Sequence, residues 1–167
     1  THGIISNYWY DKFEKKSIYC VDDFNYPAVG TSSTMEQKSP YRMMTTTVTD
    51  ELRLSQNMKG KTIAVGLKDR SAVLPGGHSS NGSYWFHGRD EGNFVTSAYY
   101  MEALPKWVDQ FNHSGLKEDY IGMKWETLYP IKDDTESIED ENDYEQPFTG
   151  EVKPVFPHDL PELKELN

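Results

Sequence analysis

Two cationic side chains, two positions apart, have the clearest capacity for chemistry in this sequence. Lys68 and Arg70 follow the apolar run 62–65, which is predicted to be a buried β-strand. If the strand stays extended, alternation places both side chains on one side and Asp69 on the other. An ammonium beside a guanidinium fork suits a small dianion, because the fork binds two oxygens and the ammonium acts as a point charge. The open end of a central strand is also where α/β folds place ligand sites.

The chemistry of single residues leaves alternatives open at each candidate position. Charged residues at strand ends are ordinary, so Lys68 and Arg70 could be solvated, with Asp69 as a helix cap. The side-chain amide of Asn7 offers two donors that stabilise an oxyanion, but the chemistry of the residue alone favours an Asn that caps a turn before the core aromatics Tyr8-Trp9-Tyr10. A single His without a partner at metal-ligand spacing is predicted to be structural, as for His78.

Composition bounds the classes of function. The chain has 167 residues and is 36% hydrophobic, which is enough for one domain with a core. Its net charge of −10 argues against a nucleic-acid partner, because a phosphate backbone needs a positive face. The single cysteine, Cys20, excludes an internal disulfide. No apolar stretch has transmembrane length and no signal peptide is present; since the chain starts with Thr1 rather than Met, we expect that an N-terminal part has been removed.

Hydrophobic periodicity and turn residues predict an α/β fold, because a helix followed by a strand is its repeating unit. The helix before the strand 62–65 is expected to start at Ser39-Pro40 and to carry the apolar stripe Met44, Val48 and Leu52. The other predicted elements are a strand at 17–21, a helical turn at 71–74, a β-hairpin of 84–86 with 93–96, a helix over 104–111 and a helical pattern in 116–129.

Acidic residues gather in two places, and both are predicted to be solvated. The segment 131–147 lacks the ligand spacing and central Gly of a calcium loop, so we expect a mobile acidic loop. Asp22 and Asp23 form an acidic pair without neighbouring ligands, and His158-Asp159 lies in a Pro-rich tail. We therefore assign no metal ligand in this chain.

Two stretches resemble the alkaline phosphatase superfamily, in particular its secreted bacterial zinc phosphate monoesterases. The first runs from about position 61 to 111 and includes Lys68-Asp69-Arg70, Ala72, Pro75, Gly77-His78, Tyr84-Trp85-Phe86, Gly92-Asn93-Phe94 and Leu104-Pro105-Lys106-Trp107. The second is the opening His2-Gly3-Ile4 with Asn7 and Asp11, which is also similar to the related nucleotide pyrophosphatases and type I phosphodiesterases. An ordered match of this length is a strong indication.

The resemblance implies a fold and a set of site residues. It implies part of a three-layer sandwich with a mainly parallel central sheet, plus a β-hairpin, with residues 1–167 as the middle portion of a single catalytic domain. Asn7, Lys68 and Arg70 take the family's catalytic and substrate-binding roles, in which they contact phosphoryl oxygens.

The resemblance also implies the reaction of the intact parent and the groups that this reaction requires. The intact parent is expected to be a periplasmic or secreted phosphatase that hydrolyses phosphate monoesters with two zinc ions and a Thr or Ser nucleophile. The family's zinc-binding Asp and His motifs and its nucleophile are not found in this chain. The chain is therefore expected to be inactive and without metal unless it is joined to the rest of the parent domain.

Two other functions stay open. A phosphodiesterase of the same superfamily would share Asn7 but generally lacks the Lys-x-Arg pair, because a diester has one fewer anionic oxygen. A non-catalytic binding domain would agree with the acidic composition and the absence of a nucleophile.

Overall fold

The computed structural model describes residues 2–88 and 92–164, which form two compact units divided after His113. Within its described residues the first unit contains six strands, three α-helices and a 3₁₀ turn at Thr34–Glu36. The strands and α-helices are β1 (Tyr8–Asp11), β2 (Lys16–Tyr19), β3 (Ala28–Val29), α1 (Val48–Ser55), β4 (Ile63–Gly66), α2 (Asp69–Gly76), β5 (Gly82–His87), β6 (Asn93–Ser97) and α3 (Lys106–Asn112).

A four-stranded mixed sheet organises the first unit, in the order β3-β6-β5-β4. Strands β4 and β5 run parallel, whereas β5–β6 and β3–β6 are antiparallel. The predicted α/β fold and the predicted β5–β6 hairpin are confirmed. The part of the sheet in this chain is nevertheless not mainly parallel, because two of its three pairings, the β5–β6 hairpin and the β3–β6 pair, are antiparallel. A separate hairpin pairs β1 with β2.

The core lies where α2 packs on β4 and β5. It consists of buried residues from α2, from the two central strands and from the segment after β2: Cys20, Val21, Ala72, Val73, Trp85 and Val95. Close approach requires Gly66 at the end of β4, since a Cβ there would lie 2.4 Å from Ser71 Oγ and 3.1 Å from the Ala72 nitrogen. This packing fixes the strand-to-helix connection that carries Lys68 and Arg70.

Two predictions about the elements that precede this connection are wrong. The strand 62–65 is not buried throughout: Ile63 and Val65 are 54% and 59% exposed, because they share one face of β4 and the described residues leave that face largely uncovered. The helix does not begin at Ser39-Pro40 but at Val48. Its start is set by a capping box, in which Thr47 Oγ1 accepts from the Asp50 nitrogen at 3.2 Å and Asp50 Oδ2 accepts from the Thr47 nitrogen at 3.0 Å.

The second unit is small and has its own aromatic cluster. Its elements are α4 (Leu116–Ile121), β7 (Lys124–Trp125), a 3₁₀ turn at Ile131–Asp133, β8 (His158–Asp159) and α5 (Leu160–Lys164). The helical pattern predicted over 116–129 is a helix only as far as Ile121. Buried His158 is surrounded by Trp125, Phe148 and Phe156, and its Nδ1 lies 2.7 Å from Glu151 Oε1. Among the described helices none is long and apolar enough to cross a membrane.

Candidate functional site

A cavity of about 640 Å³ opens at the carboxyl ends of β4 and β5. Its lining includes both cationic residues singled out from the sequence, together with polar residues from β2 and from the loop before α1. The polar residues on which the site depends are Tyr19, Asp22, Lys38, Lys68, Asp69 and Arg70.

Lys68 and Arg70 reach the cavity from the start of helix α2 rather than from a strand. Lys68 is the extended N-cap residue, and Ser71 Oγ bonds both its backbone nitrogen at 3.2 Å and its backbone oxygen at 2.6 Å. Arg70 lies in the first helical turn. The prediction from strand alternation is therefore wrong in its geometry, and Asp69 lines the same cavity instead of pointing away from it.

Arg70 is held by a phenol from the neighbouring hairpin. Its Nη1 donates to Tyr19 Oη at 3.1 Å, and that hydroxyl donates to Asp69 Oδ1 at 2.7 Å. Asp69 Oδ1 also accepts from the Arg70 backbone nitrogen at 2.6 Å. Burial, with the Asp69 carboxylate beside it, raises the pKa of Tyr19 well above its usual range, so the phenol stays protonated and keeps donating.

Lys38 is a buried cation behind this group. Its side chain is 9% exposed, and its Nζ lies 2.6 Å from Asp22 Oδ1 and 3.5 Å from Asp69 Oδ2. Asp23 is also buried and accepts from Ser39 Oγ at 2.6 Å. The prediction that Asp22 and Asp23 are merely solvated is wrong, since both carboxylates have fixed structural partners.

The far wall of the cavity is anchored by Glu36. Its carboxylate accepts from the Nε1 of buried Trp85, and its Oε1 lies 3.0 Å from Nδ1 of buried His87. This arrangement ties the loop that carries Glu36 to strand β5. It makes this wall a fixed surface.

Asn7 is near the cavity without lining it. It is exposed and directly precedes β1, and its backbone oxygen accepts from the Cys20 nitrogen at 2.9 Å. The next residue, Tyr8, does line the cavity. The structure thus brings Lys68 and Arg70 together and leaves the Asn7 side chain outside the lining. Exposed His78 contributes its backbone nitrogen to Asp50 Oδ2 at 3.2 Å.

The arrangement suits an anion. In the described part of the chain no acceptor engages the exposed ammonium of Lys68, and Arg70 uses only one of its guanidinium nitrogens, on Tyr19. The N-terminal end of α2 adds a partial positive charge at the same place. These groups can hold several anionic oxygens at once.

A metal centre does not fit the described residues. In residues 2–88 and 92–164 no group of three or more His, Cys, Asp or Glu side chains is placed to hold a metal ion. We therefore derive no chemical step through a metal. Buried Cys20 is also unsuited to nucleophilic chemistry, because burial raises the pKa of its thiol.

Sequence reasoning missed Tyr19 and Lys38. Tyr19 reads as an ordinary strand residue, and Lys38 precedes a Ser-Pro pair that is typical of a helix start. Their partners lie 50 and 16 positions away, so no local spacing marks them.

Comparisons with known proteins place this geometry in context. No protein-family model matches the chain. It is 45% identical over 157 residues to alkaline phosphatase PhoV of Synechococcus elongatus and 43% identical over 158 residues to alkaline phosphatase PafA of Elizabethkingia meningoseptica. These matches cover 94% of this chain and 28% and 29% of the two relatives. A calcium-transporting ATPase of Myroides odoratus is 40% identical over 166 residues, which are 99% of this chain and 30% of that protein.

The fold of the chain is also similar to that of a solved alkaline phosphatase. The crystal structure of wild-type PafA superimposes with a TM-score of 0.89 at 42% identity, covering 99% of this chain and 31% of that chain. A PafA variant, with one Thr changed to Ser and an Asn, a Lys and an Arg each changed to Ala, gives a TM-score of 0.87 at 41% identity, covering 94% of this chain and 30% of that one. The chain therefore spans about 30% of the length of the relatives it matches.

Proposed function

Since the chain belongs to the alkaline phosphatase superfamily in sequence and in fold, we propose that it carries the phosphate-binding part of an enzyme that hydrolyses phosphate monoesters. Lys68 and Arg70 form the substrate clamp, and Asn7 is the third contact to the phosphoryl group. The observation that carries this proposal is the convergence of Lys68 and Arg70 on one cavity in a PafA-like fold.

The substituted PafA variant supports the assignment of these three residues. Its Lys and Arg are two positions apart, as Lys68 and Arg70 are here, and its Asn precedes the Lys by about sixty positions, as Asn7 does. The residue types and their order are the same. The agreement favours a shared role in the site.

The charge of the clamp favours a monoester over a diester. A phosphate monoester carries a charge of about −1.5 to −2 near neutral pH, whereas a diester carries one negative charge. The ammonium of Lys68, which no acceptor among the described residues engages, and the remaining donors of Arg70 match the additional anionic oxygen. Charge on the three equatorial oxygens is what a phosphatase must stabilise during transfer.

The remaining parts of the reaction belong to the rest of the parent domain in this proposal. We place residues 1–167 as the middle portion of one catalytic domain whose nucleophile and two zinc ions are held elsewhere in the protein. Such ions activate a nucleophile and stabilise a leaving oxygen. Export to the periplasm or beyond is part of the same proposal.

Substitution of Asn7 tests the member of the clamp that does not line the cavity. In the full-length protein, Asn7→Ala is expected to lower kcat/KM for an aryl phosphate monoester about 10²-fold, the cost of one donor to a developing oxyanion. The neighbouring exposed Ser6 provides the matched control, and Ser6→Ala should leave kcat/KM within about twofold, as expected for a surface position. Equal rates for the two variants would remove Asn7 from the site.

A further inference from the structure

We propose that Lys38 is a positioning residue for the phosphate clamp formed by Lys68 and Arg70. Lys38 holds Asp69, and through Asp69 it orients Tyr19 and Arg70, without touching the substrate itself. This inference rests on the proposed function and extends it, because Lys38 matches none of the residues expected to contact phosphate. Its side chain is buried, which is rare for an ammonium unless it is paired.

The backbone of Lys38 is fixed from two directions. Its carbonyl oxygen accepts from the hydroxyl of Ser97, a fully buried residue in β6. The next residue, Ser39, donates its backbone nitrogen to the Val21 oxygen at 3.0 Å. The backbone from which the Lys38 side chain extends is therefore fixed. Its Nζ lies 5.1 Å from the centre of the Tyr19 ring.

A continuous series of contacts leads from Lys38 to the clamp. The ammonium lies 3.5 Å from Asp69 Oδ2, while Asp69 Oδ1 accepts from the Tyr19 hydroxyl at 2.7 Å. That hydroxyl in turn accepts from Arg70 Nη1 at 3.1 Å. Removing the ammonium leaves Asp69 Oδ2 without its cation, so that the carboxylate is held only through Oδ1 and orients the phenol and the guanidinium less firmly.

The charge of Lys38 makes the cavity selective for a doubly charged ligand. Asp22 and Asp69 line the same cavity as Lys68 and Arg70. Two carboxylates without a counterion would repel a phosphate dianion more strongly than a monoanion. By pairing with both carboxylates, Lys38 leaves the charges of Lys68 and Arg70 available to the ligand.

The test uses the full-length protein with inorganic phosphate as the probe. By isothermal titration calorimetry, Lys38→Met is expected to weaken phosphate binding about 10- to 100-fold, in the range for loss of a close charge pair. Lys38→Arg should restore most of the affinity, because it keeps the charge. Lys61→Met removes an exposed Lys and is the matched control, expected to bind phosphate as the wild type does.

Steady-state kinetics separate positioning from general damage. Lys38→Met should lower kcat/KM for an aryl phosphate monoester at least tenfold more than for an aryl phosphodiester, because the second negative charge is what Lys38 supports. If Lys38→Met fails to fold, the double variant Asp22→Asn/Lys38→Met removes the ion pair as a unit and should show the same selective loss. Equal losses on the two substrates, or affinity equal to that of Lys61→Met, would overturn the inference.

The outcomes also separate this inference from the proposed function. If the wild type hydrolyses monoesters and Lys38→Met does so equally well, the inference fails and the proposed function stands. If the wild type binds phosphate without hydrolysing esters, the proposed function fails, and weaker binding by Lys38→Met still supports the positioning role. A wild type that neither binds nor hydrolyses overturns both.

Discussion

Replacing Lys68 and Arg70 together by Ala in the full-length protein is expected to lower kcat/KM for an aryl phosphate monoester about 10⁴-fold. Each side chain supplies charge-assisted hydrogen bonds to oxygens whose charge changes during transfer, and loss of one such donor costs about 10²- to 10³-fold. The loss for an aryl phosphodiester should be far smaller, because that phosphoryl group has one fewer anionic oxygen. Steady-state rates on both esters provide the measurement.

The chain offers a closely matched control for this double substitution. Lys59 and Lys61 are also two positions apart, both are exposed, and they lie outside the cavity lining. Lys59→Ala/Lys61→Ala removes two charges and should leave both rates within about twofold. Equal losses of the Lys68 and Arg70 variant on monoester and diester would argue against a monoesterase.

Asp50→Ala is expected to be the most destabilising substitution among the polar residues of the first unit. Asp50 is 2% exposed, and its Oδ1 accepts from the nitrogen and the hydroxyl of Ser79, each at 2.7 Å. Its Oδ2 accepts from the backbone nitrogens of Thr47 at 3.0 Å and His78 at 3.2 Å. Loss of the carboxylate leaves these donors unsatisfied, so we expect the free energy of unfolding to fall by about 3 kcal/mol.

Urea unfolding followed by circular dichroism measures this change. Asp143→Ala removes an exposed carboxylate from the acidic segment and is the control. It should change the free energy of unfolding by less than about 0.5 kcal/mol. Identical midpoints for the two variants would contradict the structural role of Asp50.

The stability that the Asp50 carboxylate contributes depends on pH in a defined direction. Burial by itself raises the pKa of Asp50, but hydrogen bonds from the Ser79 side chain and from the backbone of Thr47, Ser79 and His78 outweigh burial and lower its pKa to about 2. A depressed folded-state pKa means that the stabilisation is complete above the unfolded value of 3.8 and is lost as pH falls toward 2. The stability difference between wild type and Asp50→Asn should therefore shrink between pH 4 and about 2; a constant difference would contradict this account.

Elements that are encoded by neighbouring residues could be predicted from the sequence. The β5–β6 hairpin was predicted because aromatic and β-branched runs flank a Gly-containing turn. The presence of Lys68 and Arg70 in one cavity also followed from their spacing after a strand. Their geometry did not, because the strand ends at Gly66 and helix α2 begins at Asp69, where the Ser71 hydroxyl bonds the backbone of the N-cap residue Lys68.

Features that depend on distant partners were not predictable in this way. The start of α1 is decided by the Thr47–Asp50 capping box and by the hydrogen bonds that Asp50 accepts from the backbone of residues 78 and 79, and these override the Ser39-Pro40 signal. Likewise, Lys38 and Tyr19 become site residues only when folding brings Asp69 between them. A buried Lys carries no sequence signature, since Lys is among the residues most often exposed.

Zinc-dependent ester hydrolysis by the full-length protein tests the central claim most directly. The protein would be stripped of metal with a chelator, restored with zinc, and assayed on an aryl phosphate monoester and an aryl phosphodiester, with the 167-residue chain assayed in parallel. We predict zinc-dependent turnover by the full-length protein that favours the monoester, and no turnover by the chain. Phosphate binding without hydrolysis by the full-length protein, or robust zinc-dependent turnover by the chain, would contradict the account.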